Sequence, residues 1–511
     1  MSGAWIGGIP PAEEDGTLQA EIAWGRSRLR SRIVSVFAPP GALVWLAASA
    51  AAGIVVGASV AHGQIKLAVL PVWALTAVLF ARVPVAGYIG ILWSVGTAVD
   101  PNAVQEVGVS SLLFAPAEIL NFTAIACVLF LPGDVRRVVK EMAFRAESVL
   151  IALFLAAVLG GVAVGMENGA SLHAAAFDMR SMLFYAAFWP ALAALARGRR
   201  LPFRLVTAGA IVVVMLQAIQ VVVGPSRHMF LIAASDLSSA LTADQTGFLR
   251  VRPPGLTTVY VVAAFALARV LWGPARGRMA GWAVVAVSMA GVILSLNRNM
   301  ALGLVLGLSA AALVAKRRHR AVVFAATVAA ALSAAVLVAQ GSAFASNPVV
   351  SRFASITNYS QLQTQTLDDR FYENRIAMQR IRAHPIGGLG WGPPYGAELL
   401  SSDAGFLVTQ PRTFMHEQYL WIWMRAGIVG LIALLAMLAV GITTGVRWSR
   451  ARAGEEDGWL GAGVIVALVA LAASSNVAIY LTPPDSTVPL VGVLALAAYM
   501  RRQLTLGRAP A

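Results

Sequence analysis

The sequence predicts an all-α polytopic membrane protein with about 12 to 14 transmembrane helices and one large extracytoplasmic loop. Of its 511 residues, 58% are hydrophobic and only 12% are charged, whereas a soluble domain carries about 25% charged residues. Apolar runs long enough to cross a hydrocarbon core recur between residues 40 and 500. Because these runs are continuous rather than alternating, they do not fit a membrane β-barrel.

The runs divide the chain into five parts. We expect a cytoplasmic tail at 1–39, transmembrane helices at 40–340, a large extracytoplasmic loop at 341–414, further transmembrane helices at 415–500 and a cytoplasmic tail at 501–511. The candidate spans are about 41–59, 65–81, 84–98, 111–131, 147–166, 181–197, 204–224, 255–273, 280–296, 299–315, 321–340, 415–442, 460–480 and 487–500.

The formal net charge of +15 indicates how the chain is oriented. In a soluble protein such a charge would suggest a nucleic acid partner, but here basic connections between spans suffice to explain it. If the N-terminus is inside, every basic connection falls on the same side as both termini. They are DVRRVVK (134–140), RGRRLPFR (197–204), ARGR (275–278), KRRHR (316–320), VRWSRAR (446–452) and Arg501–Arg502. We therefore expect a multi-pass protein of the cytoplasmic membrane, surrounded by lipid, with both termini cytoplasmic and no nucleic acid partner.

The long loop 341–414 breaks the positive-inside pattern, because it places arginines outside. Its stretch 368–382 is predicted to be a helix with Leu367, Phe371, Met378 and Ile381 on one face and Arg370, Arg375 and Arg382 beside that face. These guanidinium groups either reach lipid headgroups or recognise an anionic, phosphate-bearing substrate. Both interpretations remain open from the residues alone.

Two histidines accompany this helix. His384 precedes a proline and a glycine-rich segment that lacks the Lys-Ser/Thr of a P-loop, so it is interpreted as a turn residue. His416 lies at the outer mouth of the 415–442 span, next to Glu417. An imidazole there can act as a general base for a hydroxyl group or simply pack at the interface.

Several charges lie in or next to apolar runs, where a charge is costly without a partner. Arg298 stands between two runs with little loop around it. Arg250 and Arg252 precede the 255–273 span on the same outer side, Arg425 lies inside the 415–442 span, and Glu118 lies inside the 111–131 span. The single cysteine, Cys127, permits no intrachain disulfide. No metal or nucleotide motif is visible, so no cofactor is predicted.

Three motifs together resemble the O-antigen ligase and polysaccharide polymerase superfamily of integral membrane glycosyltransferases. The first is Asn297-Arg298 at the outer end of a mid-chain span. The second joins Arg370-Phe371 to the His-Pro-Ile-Gly-Gly-Leu-Gly of 384–390, and the third joins His416 to Tyr419-Leu420 and the Gly-Ile-Val-Gly of 427–430. RPPGLT (252–257) is similar to a further stretch of that family, so the resemblance covers about 251–434.

The resemblance implies a GT-C-like fold and transfer of a glycan from an undecaprenyl-pyrophosphate donor to an acceptor hydroxyl at the outer face of the cytoplasmic membrane. It implies an inverting, metal-independent enzyme of cell-surface polysaccharide assembly, acting on a lipid-linked glycan and a glycan or lipid-glycan acceptor. It assigns pyrophosphate binding to Arg298 and Arg370, and acceptor activation to His416. We expect Arg252 and Arg375 to join the pyrophosphate site and Glu417 to be a second candidate for the base.

Some alternatives stay open. Where the family often has an amide after the histidine, this chain has Glu417, so either residue could be the base. Polymerase and ligase activities are not separated. A lipid-linked oligosaccharide flippase would instead be expected to show repeated halves and a charged central path. A non-catalytic assembly scaffold would leave the outer arginines and His416 dispensable.

Overall fold

The computed structural model describes residues 65–96, 107–109, 112–114, 116–224, 230, 241–243, 249–314, 365–395, 415–478 and 480–507. Over these residues the chain is almost entirely helical, and it is an all-α polytopic membrane protein. The predicted spans at 41–59 and 321–340 and much of the predicted loop 341–414 lie outside the described residues. The expected total of 12 to 14 spans and the GT-C-like fold therefore stay predictions.

Eight helices are described in the first half, and all except α4 and α6 overlap predicted spans. They are α1 (Ile65–Arg82), α2 (Pro84–Gly96), α3 (Pro116–Cys127), α4 (Gly133–Ala143), α5 (Ala146–Glu167), α6 (Leu172–Met179), α7 (Phe188–Arg197) and α8 (Arg200–Val223). Short 3-10 segments at Val128–Phe130 and Arg180–Ala187 follow α3 and α6.

The second half contains the helices that carry most of the predicted site residues. They are α9 (Leu256–Trp272), α10 (Arg278–Leu294), α11 (Arg298–Val314), α12 (Gln365–Ala383), α13 (Gln418–Ala451), α14 (Trp459–Ser474) and α15 (Pro484–Leu506).

Two small antiparallel hairpins, which the sequence did not predict, interrupt the helices. In one, β1 (Val107–Val109) pairs with β2 (Leu112–Phe114), and in the other β3 (Leu241–Ala243) pairs with β4 (Leu249–Val251). The first hairpin overlaps the start of the predicted span at 111–131, and the second lies in the connection between the predicted spans 204–224 and 255–273. Since each strand has three residues, the hairpins do not alter the helical class of the fold.

Membrane-spanning segments are evident from length and composition. Within the described residues, four segments are long and apolar enough to cross a membrane, or five if a bent pair counts as one span. The four are Ala146–Glu167, Leu172–Arg197, Arg200–Val223 and Gln418–Ala451. Large apolar side chains remain exposed on them, among them Leu159, Met215 and Ile432. In a membrane such surfaces face lipid rather than water.

The core lies around α9, α14 and α15, whose side chains are mostly buried. Helix α14 packs against α9, α11 and α13, and α15 packs against α7 and α13. Small residues allow close approach, as at Gly303 and Gly307 of α11, which lie directly on α14. This is the usual way in which helices associate in a bilayer.

Helix α4 corrects one prediction. The basic stretch 134–140 was predicted to be a connecting loop, but it lies within a helix that is bent by 104° from the preceding segment Ala117–Phe130. Val135, Val139 and Met142 recur at helical spacing and are buried, while the charged residues face outward. The amphipathic pattern therefore forms a helix along the protein surface.

Contacts between helices show which helix termini share each end of the bundle. At one end, which we call the site end, the start of α9 meets the start of α15 through Thr257 Oγ1 and Ser486 Oγ, 2.8 Å apart. The start of α13 meets the end of α14 there, where Gln418 N donates to Ser475 O at 3.2 Å.

At the opposite end, which we call the basic end, an ion pair joins Arg199 to Asp457 at 2.9 Å. Arg269 lies there too, with its guanidinium over the ring of Trp459 at 5.5 Å. The described basic connections of the sequence therefore share this end of the molecule, opposite the site end.

Candidate functional site

A histidine–carboxylate pair lies at the site end, where α12 meets the start of α13. His416 Nδ1 lies 3.0 Å from Oε2 of Glu373, and the backbone N–H of His416 donates to the same oxygen at 3.4 Å. The Glu373 side chain is 2% exposed, while that of His416 is 33% exposed. When Nδ1–H donates to the carboxylate, the neutral imidazole carries its basic lone pair on Nε2.

Arg370 lies one helical turn before Glu373 on α12 and is half-buried. Burial lowers the pKa of its guanidinium, while the Glu373 carboxylate and the Tyr480 phenol oxygen oppose that effect. Its Nε is buried without a hydrogen-bond partner among the described residues. A buried donor of this kind is costly unless a ligand satisfies it.

Tyr480, between α14 and α15, connects Arg370 to other predicted residues. Its phenol oxygen accepts a hydrogen bond from Asn297 Nδ2. Burial raises the pKa of Tyr480 to about 12, against the lowering effects of Arg252, Asn297 and Arg370. The phenol is therefore neutral at pH 7 and keeps its own O–H for donation.

Arg298 begins α11 directly after Asn297, so it lies beside this cluster. The turn before it contains Leu296 with a φ of 49°, a left-handed conformation that is a genuine outlier for a bulky residue. The start of α11 is held by Ser474 Oγ, which donates to Asn299 O at 3.0 Å, and by Tyr260 OH, which donates to Met300 O at 2.7 Å. Residues held in such conformations cluster at functional sites.

Glu417 has a different role from its neighbour. Its carboxylate caps α13 by accepting hydrogen bonds from the backbone N–H groups of Tyr419 and Leu420. Burial raises the pKa of Glu417, and the two backbone hydrogen bonds oppose that effect. A carboxylate at an N-cap satisfies helix donors that would otherwise lack partners.

The remaining predicted residues differ in position and in exposure. Arg375, Arg382 and His384 are exposed, and Arg250 lies within β4. The exposed Arg375 is about 140° around α12 from Arg370 at 100° per residue. Glu118 pairs with Arg180, whose Nε lies 3.4 Å from its Oε1.

The predicted apolar face of α12 differs from the buried one. The buried residues are Glu373, Ala377 and Ile381, whereas Phe371, which was placed on the packed or lipid-facing stripe, is 63% exposed. The buried face is therefore rotated by roughly a quarter of a turn from the predicted one. A face chosen from apolar residues alone misses a buried carboxylate.

The glycine-rich segment 385–395, which we call the glycine loop, fastens α12 to the membrane helices. It docks where Gly427, with a φ of 70°, breaks the helical geometry of α13. Leu389 N donates to Met424 O at 2.6 Å, and Ile428 N donates to Ile386 O at 3.0 Å. The break in α13 thus frees backbone groups for the loop.

The other side of the glycine loop is bound to α5. Trp391 is fully buried, and its Nε1 donates to Val158 O at 2.8 Å. Its backbone N donates to Gly161 O at 3.0 Å. A side chain on Gly161 or Gly165 would collide with Trp391. Gly161 and Gly165 therefore allow the backbone of the glycine loop to approach α5 closely.

The structure supplies partners for Arg425, which is 0% exposed. Its Nη1 donates to Gly390 O and to Pro393 O, each at 2.7 Å, and its Nε lies 3.6 Å from Asp178 Oδ2. The same Asp178 oxygen accepts from Gly392 N at 3.1 Å. Arg425 is therefore the buried anchor of the glycine loop, which ends the helix carrying Arg370 and Glu373.

A comparison with known families identifies this region. The family model described as O-antigen ligase matches residues 282–435. Over these residues the chain is similar to the O-antigen ligase superfamily. No curated protein matches the chain.

The O-antigen ligase region contains Arg298, Arg370, Glu373 and His416, which the fold brings to one end of the bundle. This similarity supports a membrane glycan ligase or polymerase kind of function. Arg252 and Tyr480 lie outside the matched residues, yet both act electrostatically on the same cluster. The site therefore extends beyond the matched segment.

Sequence reasoning missed Glu373 and Tyr480. Glu373 could have been found from its spacing, since it lies one turn after Arg370 on a helix whose sequence otherwise indicates an exposed polar surface. Tyr480 lies directly before the LTPPD stretch (481–485), at the end of the predicted span 460–480, where a single aromatic residue gives no distinct signal. Among the described residues, no group of three or more His, Cys, Asp or Glu side chains is arranged to hold a metal.

Proposed function

We propose that this protein transfers or polymerises a glycan from an undecaprenyl-pyrophosphate-linked donor onto an acceptor hydroxyl at the outer face of the cytoplasmic membrane. The observation that carries the proposal is the contact between His416 and Glu373. Arg370, one turn before Glu373 on α12, lies beside Tyr480. A base and an anion-binding cluster thus stand together at one end of the bundle. Both are what glycosyl transfer from a pyrophosphate requires.

The reaction follows from these roles. The acceptor oxygen attacks the anomeric carbon of the donor while its proton passes to Nε2 of His416. The bond between that carbon and the phosphate oxygen breaks, and its electron pair leaves with the lipid pyrophosphate. Attack from the face opposite the leaving group inverts the configuration at the anomeric carbon.

The leaving group is stabilised by charge. Arg370, Arg252 and Arg298 supply planar guanidinium donors that suit phosphate oxygens. Tyr480 adds a neutral O–H donor, because Asn297 donates to its oxygen and leaves its hydrogen for the anion. No metal ion takes part in this scheme, since the guanidinium groups neutralise the developing charge.

His416 rather than Glu417 is proposed as the base. The Glu417 carboxylate already accepts two backbone hydrogen bonds at the start of α13, and turning it towards a substrate would uncap the helix. His416 instead receives its orientation from Glu373. Glu417 is thereby assigned a capping role at the start of α13, directly after His416.

Reconstitution tests the function. Purified protein in lipid nanodiscs is given a polyprenyl-pyrophosphate-linked oligosaccharide and an acceptor glycan, with and without a metal chelator. We expect release of free polyprenyl pyrophosphate, growth of the acceptor and an inverted linkage by NMR in both conditions. Absence of transfer with every acceptor offered, while the donor is moved between leaflets, would instead support a flippase.

A deletion strain separates ligase from polymerase. Single repeat units accumulating on the lipid carrier indicate a polymerase, and long polymer accumulating there beside unmodified acceptor indicates a ligase. Accumulation confined to the cytoplasmic leaflet contradicts both.

A further inference from the structure

We infer that the basic end of the bundle carries a binding site for the headgroup of an anionic phospholipid. The site is a cleft of about 440 Å³ between α4 and the end of α15. We call it the arginine cleft, and it is lined by Arg137, Glu141, Arg145, Arg502 and Leu506. It is opposite the site end and is separate from the proposed transfer reaction.

The charges of the arginine cleft do not cancel. Arg502 donates to Glu141 Oε2 from Nη2 at 2.7 Å and from Nε at 3.0 Å, so these two side chains neutralise one another. Arg137 and Arg145 have no carboxylate partner in the described part of the chain. Two guanidinium groups thus face the cleft with uncompensated charge, which suits a phosphodiester.

The surroundings of the cleft point to a lipid as the source of that phosphate. Helix α4 is bent by 104° from the preceding segment, Ala117–Phe130. Leu129 and Phe130 before it and Phe144 after it are 71%, 73% and 91% exposed. Large apolar side chains exposed at both ends of an amphipathic helix are buried in the acyl boundary of a bilayer, so the helix lies in the interface.

This placement brings the arginines to headgroup level. Basic residues at such a surface attract anionic lipids, and Leu506 offers an apolar wall for the start of an acyl chain. A soluble anion would use the guanidinium groups but not the apolar rim. A bound lipid would bridge α4, the start of α5 and the end of α15. Arg501 of α15 and Glu147 of α5 are already joined by an ion pair at 3.3 Å.

Lipid titration of the full chain tests the site. Protein in neutral phosphatidylcholine nanodiscs or detergent is titrated with phosphatidylglycerol, and binding is followed by native mass spectrometry and by the unfolding temperature. We expect phosphatidylglycerol to bind and raise the unfolding temperature beyond any effect of phosphatidylcholine. Arg137→Gln/Arg145→Gln should weaken this binding by about tenfold or more.

The control variant is Arg136→Gln/Lys140→Gln, which removes the same charge from exposed positions of α4 outside the cleft. It should bind within about twofold of the wild type. Equal losses in both double variants would overturn the site, because they would indicate a diffuse attraction. Equal stabilisation by inorganic phosphate would overturn the lipid assignment. Comparing unfolding temperatures without lipid separates lost binding from misfolding.

Discussion

Nδ1 of His416 lies 3.0 Å from Oε2 of Glu373, and these two residues are 43 positions apart in the chain. The carboxylate is almost fully buried, whereas the imidazole is one-third exposed. A buried carboxylate on one ring nitrogen orients the ring and presents the other nitrogen to the exterior. The predictions below rest on this pair and on the groups that hold it in place.

Replacing Glu373 by Gln should slow transfer by roughly 10- to 100-fold, because the amide no longer fixes the imidazole tautomer. The KM for the lipid donor should change little, since Glu373 acts through His416. The measurement is steady-state transfer at varied donor concentration, with the exposed Gln379→Ala on the same helix as the control. An unchanged kcat in Glu373→Gln would remove Glu373 from the mechanism.

Arg370 and Arg375 form a matched pair on α12. Arg370→Ala should reduce kcat/KM for the donor by about 100-fold, since a lost charge-assisted contact costs roughly 3 kcal/mol. Arg375→Ala should change it by less than about threefold, because Arg375 is exposed and away from Tyr480. Arg370→Lys should recover only part of the activity, since it keeps the charge but loses the fork. Equal effects of the two alanine variants would mean that the cluster geometry does not select the donor.

Glu417 should make stability depend on pH. Its pKa in the folded protein is raised above the ordinary value of 4.5 by burial, so folding favours the protonated form. Its contribution to the free energy of unfolding is present below pH 4.5 and is lost as the pH rises through the raised pKa. Glu417→Gln should therefore gain stability relative to the wild type between about pH 4 and pH 8.

Thermal unfolding of both proteins across that range measures the effect. The exposed Glu456→Gln is the control and should show no such trend relative to the wild type. A constant difference in unfolding temperature between Glu417→Gln and the wild type would contradict the burial of the carboxylate. Retained transfer activity in Glu417→Gln is also expected, because a glutamine oxygen can still cap α13.

Arg425→Met should destabilise the fold by roughly 3 kcal/mol, since it leaves the Asp178 carboxylate and two loop carbonyl groups without their cation. The exposed pair of Arg197 and Asp134, 3.8 Å apart, provides the control, and Arg197→Met should cost less than about 1 kcal/mol. Adding Asp178→Asn to Arg425→Met should recover part of the loss, because the buried charge is then removed. An additive double variant would contradict the pairing.

Much of the fold could be predicted because long apolar runs specify membrane helices. For that reason α5, α9 and α13 each begin within a few residues of the predicted start. Helix α4 was misjudged because its charges resemble those of a loop, although Val135 and Val139 recur at helical spacing. The break at Gly427 has no signature of its own, since it depends on the glycine loop docking against it.

The candidate site could be predicted in part. Arg298, Arg370 and His416 stand out because polar residues at the mouths of spans are costly and therefore informative. Tyr480 could not be assigned because its role arises only when α12 and the connection after α14 meet, whereas the spacing of Glu373 from Arg370 was a usable signal. Which of Arg370 and Arg375 faces the cluster likewise depends on how α12 is rotated, and tertiary packing decides that rotation.

Single-turnover transfer by His416→Gln tests the central claim most directly. Enzyme in excess over a polyprenyl-pyrophosphate-linked oligosaccharide, with acceptor present, reports the chemical step, and donor binding is measured separately. The account predicts a rate at least about 100-fold below the wild type with unchanged donor binding, since a general base contributes on that scale. A wild-type rate in His416→Gln would contradict the proposed mechanism.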